Sequence, residues 1–128
     1  MDSDLVRLCV SRIEPELCEV VPQPFLSAIC SGAAAGLTPA EIVAPYTPAY
    51  NTFDLGPILH SIAELASFVA AVLTIYMAIT RREKRKPKEH EIREELTEQH
   101  RHDPRITVVI SEVNILLAAR EKKSEHNS

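Results

Sequence analysis

The chain has 128 residues, 45% of them hydrophobic and 25% charged, with a formal net charge of -4. That is ordinary globular usage with room for one modest core, which excludes wholesale disorder, a collagen-like chain, a disulfide-dense scaffold and two enzyme-sized domains. Charge is segregated: residues 1–56 carry seven acids against Arg7 and Arg12, no Lys or Arg lies between Arg12 and Arg81, and residues 81–128 hold twelve bases and ten acids. Such a pattern points to orientation or to an interaction tail.

Seven of the nine prolines precede residue 58, so the first half holds only short elements. Leu5, Leu8, Cys9, Ile13, Leu17 and Val21 recur at spacings of three to five, an amphipathic helical stretch that Pro15 bends or restarts. Residues 25–37 (FLSAICSGAAAGL) form a second apolar helical segment, too short to span a bilayer, in which Gly32 and Gly36 sit at a close-packing spacing. Thr38-Pro39-Ala40-Glu41 combines a capping hydroxyl, proline at the first helical position and Glu three residues on; it starts a two-turn helix that Pro45 stops. From Pro45 to Pro57 the prolines, Asn51, Asp54 and Gly56 make a loop carrying Tyr46, Tyr50 and Phe53.

The dominant signal is 58–80 (ILHSIAELASFVAAVLTIYMAIT), 23 residues without Lys, Arg, Pro or Gly. As a helix it would reach roughly 34 Å, enough to cross a hydrocarbon core of about 30 Å. Ten of its residues are Leu, Ile, Val or Phe, worth roughly -3 to -6 kcal/mol of insertion free energy. Glu64 opposes insertion: an acidic residue costs about 2.5 to 3.5 kcal/mol at the bilayer centre, and less at this off-centre position. The basic run Arg81, Arg82, Lys84, Arg85, Lys86 and Lys88 follows at once, suiting anionic lipid headgroups and placing the N-terminus outside and the C-terminus in the cytoplasm. The competing reading makes 58–80 the buried core helix of a soluble, cytoplasmic bundle, with His60 and Glu64 as a buried or rim pair.

Within this helix His60, Glu64, Ser67, Ala71, Thr74 and Ala78 fall three or four apart and form one small, polar stripe opposite the bulky positions. Small residues on one face let helices approach closely, so the stripe reads as the seam of a homo-oligomer or of a partner helix. Beyond the basic run, 89–102 is highly charged, with Ile92 and Leu96 its only apolar residues. Ile106, Ile110, Val113 and Leu117 continue their register as broken heptads. The run 106–110 (ITVVI) is also good strand material, and 121–128 is polar.

No catalytic, cofactor or metal site is expected. The three glycines make no phosphate-cradling loop, and no GxSxG or HExxH occurs. Cys9, Cys18 and Cys30 lack the close pairing of zinc ligands and read as buried thiols, with any disulfide pairing left open. His90, His100 and His102 lie among Glu and Arg, as solvated residues do. The helix-turn-helix outline of 25–44 offers Glu41 where phosphates would need Lys or Arg, so nucleic acid is not an expected partner. The acidic start is unlike a secretory leader, so export would be driven by the span itself.

The resulting expectation is an all-α protein in three parts: an acidic, proline-interrupted segment (1–56), a long apolar helix read as a membrane span (57–80), and a basic run with an amphipathic tail (81–128). Its function is that of a non-enzymatic, single-pass membrane protein, an assembly or anchoring subunit meeting lipid and a protein partner or its own copy. The alternative is a soluble helical interaction module. A third reading, a subunit or regulator of an enzyme whose chemistry resides on a partner, follows from the same lack of motifs.

Overall fold

Asp2 opens the first helix. In a computed structural model that describes residues 2–46 and 55–126, its carboxylate accepts hydrogen bonds from the amides of Asp4 and Leu5 at 3.0 and 3.3 Å, capping α1 (Ser3–Ile13) and placing negative charge at its positive end. Pro15 then restarts the chain as α2 (Pro15–Val20), since proline suits the first turn and no later one. α1 buries Leu5, Val6, Cys9 and Val10, while Leu8 stays 41% exposed.

α3 (Gln23–Ala34) ends where Gly36 takes φ +91°. There the amide of Gly36 donates to the Ala33 carbonyl and that of Leu37 to the Gly32 carbonyl, both at 3.0 Å, closing a Schellman turn. A side chain at Gly36 would meet strain rather than crowding, because nothing lies within 4 Å of its missing Cβ. The Thr38 capping box forms as its sequence predicts: Thr38 Oγ1 accepts from the Glu41 amide and Glu41 Oε1 from the Thr38 amide, each at 3.2 Å. It starts α4 (Pro39–Val43), and Pro45 sits in the single 3-10 turn Ala44–Tyr46 that follows. Most of the aromatic loop, with Tyr50 and Phe53, lies outside the described residues.

α5 (Leu55–Glu83) has 29 residues, more than the 23 of the unbroken apolar run. Among the described residues it is the one helix long and apolar enough to cross a membrane, and 61% of its most apolar stretch is buried inside the fold. Helices α1 to α4 pack against it. After it come α6 (Glu89–Glu95), α7 (Glu98–Arg101) and α8 (Arg105–His126), of which α6 and α8 touch it directly and α8 packs on α1 as well. Ile62, Leu65, Phe68, Val69, Leu73, Tyr76 and Ile79 are all buried at its surface. The protein is all-α, with no strand among the described residues.

The run 106–110 is helical. Ile106, Val109, Ile110 and Val113 are buried at the i, i+3, i+4, i+7 spacing of a helix face, and burial at that period overrides the β-preference of the branched residues. α8 runs parallel to α5, with Tyr76 Oη donating to Asn114 Oδ1 at 2.5 Å. It runs antiparallel to α1, to which it is tied by the Arg12–Glu112 and Arg120–Asp2 ion pairs.

The heptad register from Ile92 to Val113 points into this fold. Ile92, Leu96, Ile106, Ile110 and Val113 are all buried, but the chain leaves helix at Leu96 (ψ 156°) and again at 102–104. Arg101 fixes the first break. Its guanidinium donates to the carbonyls of Arg93 and Leu96, both at 3.3 Å, and Arg93 returns a 2.7 Å bond to the Arg101 carbonyl.

Candidate functional site

Among the described residues, the shorter helices around this 29-residue helix leave one strip of it uncovered. On α5 that strip is the predicted stripe: His60, Glu64, Thr74 and Ala78 are exposed, and Ser67 and Ala71 are half-buried. The structure thus brings all six residues onto one open face. His60 Nε2 and Glu64 Oε1 pair at 3.0 Å with side chains 50% and 57% exposed, which makes them a solvated rim pair. Thr74 Oγ1 donates to the Ala70 carbonyl at 2.7 Å, so its hydroxyl is satisfied within the helix and its methyl faces outward.

Three shallow clefts follow this strip. The first, about 430 Å³, lies over Glu64 and Ser67 between the Gly36–Pro39 turn and the start of α8. The second, about 190 Å³, runs from Ser67 to Thr74 beside Ala33, Ala34 and Leu37. The third, about 540 Å³, carries on through Ala78 to Arg81 and is walled by Asp2. Shared Ser67 and Thr74 join them into one groove about 26 Å long from Glu64 to Arg81 at the helical rise. Its wall on the α3 side is small because α3 ends in alanines and glycine.

The Glu64 end is built on an aromatic and ionic cluster. The Phe68 ring forms its floor, with the His100 ring edge-on at a centroid distance of 5.2 Å and an interplanar angle of 75°. The Arg105 guanidinium stands 5.1 Å over the same ring centroid, held there by Asp103 at 2.8 Å. That contact also keeps the Asp103 carboxyl below the ordinary carboxylate range and raises Arg105. The sequence signal for this cluster is faint: Asp103 and Arg105 flank Pro104, but nothing links them to a ring 37 residues upstream.

The basic run divides. Arg82 binds Glu95 at 2.9 Å and Glu83 at 3.4 Å, and Arg85 grips Glu91 through two bonds of 2.8 and 2.7 Å. The Arg85 fork, aided by the Lys88 amide, pulls the Glu91 carboxyl down to about 2. Arg81, Lys84, Lys86 and Lys88 are exposed and make no ion pair among the described residues.

Comparison with protein-family models, curated proteins and solved structures returns no match.

The thiols lie in the core. Cys9, Cys18 and Cys30 are free and buried. Burial pushes the Cys9 thiol up to about 11 and Cys30 up to about 12, so both are protonated thiols at neutral pH. Among the described residues no three His, Cys, Asp or Glu side chains converge as metal ligands would, and His100 is committed to the Phe68 ring. What the groove offers is shape: a helix strip with small side chains, between low walls, ending in Glu64 at one end and Arg81 at the other.

Proposed function

We propose that this chain is a non-enzymatic helical docking subunit whose α5 groove receives a helix from a protein partner, with α5 itself serving as the core helix of a water-soluble bundle. The observation that carries this reading is the division of α5: most of its bulky residues are buried under neighbouring helices, with Ile58, Ile75 and Met77 half-buried, while Glu64, Thr74 and Ala78 are exposed and Ser67 and Ala71 half-buried along the groove. A strip of Ala, Ser and Thr lets a second helix approach to about 8 Å between axes, near the lower limit of helix packing. A lipid-facing helix would present bulky apolar groups, and its ionisable residues would turn inward. Here Glu64 and His60 are on the outside.

A second reading keeps α5 as a single span, on the strength of its length and composition. Arg81, Lys84, Lys86 and Lys88 would then meet anionic headgroups, at about 1 kcal/mol each near the surface. The helices packed around α5 and the polarity of its uncovered face favour the soluble bundle.

Ala71→Trp tests the docking reading. Ala71 is half-buried at the middle of the groove, so an indole there fills the space a partner helix needs and leaves the buried face intact. The expected result is loss of in-cell crosslinked partners with an unchanged circular dichroism spectrum. Retention of the same crosslinked partners would exclude the groove as the docking face.

A further inference from the structure

The groove's open helix face has a symmetry of its own. Glu64, Ser67, Ala71, Thr74, Ala78 and Arg81 are spaced 3, 4, 3, 4 and 3, a sequence that reads the same in both directions about a point midway between Ala71 and Thr74. We propose that the helix received by this groove is α5 of a second copy of the chain, packed antiparallel about a two-fold axis through that point. The proposal rests on the docking reading of the same face and names its occupant.

Charge complementarity selects the partner and its direction. Antiparallel pairing sets Ala71 against Thr74 of the second copy and Ser67 against its Ala78, so small meets small in every central layer. It then brings Glu64 against Arg81 of the second copy, twice by symmetry, because each lies about 13 Å from the axis along the helix. Both groups are available. Arg81 is exposed and makes no ion pair among the described residues, and Glu64 is exposed, pairing with the exposed His60 and lying within electrostatic reach of Arg105, which Asp103 already binds. A parallel pairing would instead set Glu64 against Glu64 and Arg81 against Arg81, which is repulsive.

Two further features fit. The alternation of three and four residues, a repeat of seven (64, 71, 78 and 67, 74, 81), is that of helices crossing at a shallow angle of about 20°, which keeps the whole strip in contact. Leu37, 39% exposed, stands at the groove wall beside Ser67, where a second helix would cover it. The other charges at the ends are satisfied within the chain, Arg105 by Asp103 at 2.8 Å and Asp2 by Arg120 at 2.6 Å, which leaves Glu64 and Arg81 to set the pairing.

The test is sedimentation of the purified full chain from micromolar to near-millimolar concentration, with charge exchange at the two ends. The wild-type chain should double its mass from 14.2 kDa. Glu64→Arg alone and Arg81→Glu alone should each weaken association by at least about tenfold, since each turns two attractive contacts into two repulsive ones. An equimolar mixture of the two variants should recover the dimer, because an arginine on one copy then faces a glutamate on the other at both ends of the seam. The double variant Glu64→Arg/Arg81→Glu should recover it too. Should either reversed charge disturb folding by circular dichroism, Glu64→Gln and Arg81→Gln are to lose the salt dependence of association instead. A monomeric wild-type chain overturns self-pairing and leaves the docking face to the Ala71→Trp result. A dimer indifferent to the charge exchanges but lost in Ala71→Trp overturns the antiparallel register, and one indifferent to all of them overturns the register and the docking face together.

Discussion

Leu73 and Thr74 are neighbours on α5, one buried and one exposed, and together they measure what surrounds the helix. Leu73 is fully buried, so Leu73→Ala removes three carbons from a packed interior. At about 0.8 kcal/mol per buried methylene the transfer loss is about 2.4 kcal/mol, and the residual cavity brings the cost to about 3 to 4 kcal/mol. For a domain of this size that is a large share of a total near 5 to 15 kcal/mol, equivalent to a fall in Tm of about 10 °C. Thr74→Ala, on the uncovered face, should change stability by less than about 0.5 kcal/mol. The assay is urea unfolding followed by circular dichroism on the full chain without detergent. If α5 were instead surrounded by lipid, Leu73→Ala would cost only a few tenths of a kcal/mol of insertion. A stability loss below about 1 kcal/mol, or equal effects at the two positions, would refute the packing argument.

Other expectations follow from local chemistry. Lys84 ends α5 with φ +55°, a left-handed conformation that costs a residue with a side chain about 1 kcal/mol, so Lys84→Gly should raise Tm by a few degrees in a thermal melt. Glu91 has its carboxyl depressed to about 2 from 4.5 by Arg85, so the pair's stabilisation is fully present above about pH 4.5 and is lost as pH falls toward 2. The urea midpoint of the wild type should therefore fall over that window, and the fall should be shallower in Arg85→Gln. Cys9 and Cys30, buried and held as thiols to about pH 11 and 12, should resist alkylation at pH 8 in the native chain and react fully in urea, as read by mass spectrometry.

What the sequence made legible was local or periodic. The Thr38–Glu41 capping box, the restart at Pro15 and the existence of α5, though not its extension to Leu55 and Glu83, each rest on residues within a few positions of one another, or on a run that needs no partner to be recognised. The six-residue stripe was legible for the same reason, since spacing alone places residues on one face. What spacing leaves open is which face is outside: small residues line both buried seams and open grooves, and only the positions of α3, α4 and α8 leave this one uncovered.

Long-range neutralisation was illegible. The basic run reads as a uniform patch, yet Glu91 and Glu95, one short helix later, fold back onto Arg85 and Arg82. The Arg101 clamp on the carbonyls ending α6 is hidden likewise, because a guanidinium bonding to main chain leaves no complementary side chain to find. The strand-like 106–110 needed the buried face at Ile106, Val109, Ile110 and Val113 before helix became the evident state.

The most direct test of the central claim, that α5 is the core helix of a bundle with one open face, is fractionation of the expressed chain. Recovery of a folded helical protein in the soluble fraction, without detergent, is the expected result. Retention in membranes through alkaline carbonate and high salt, with release by detergent alone, would contradict it and give α5 to the bilayer.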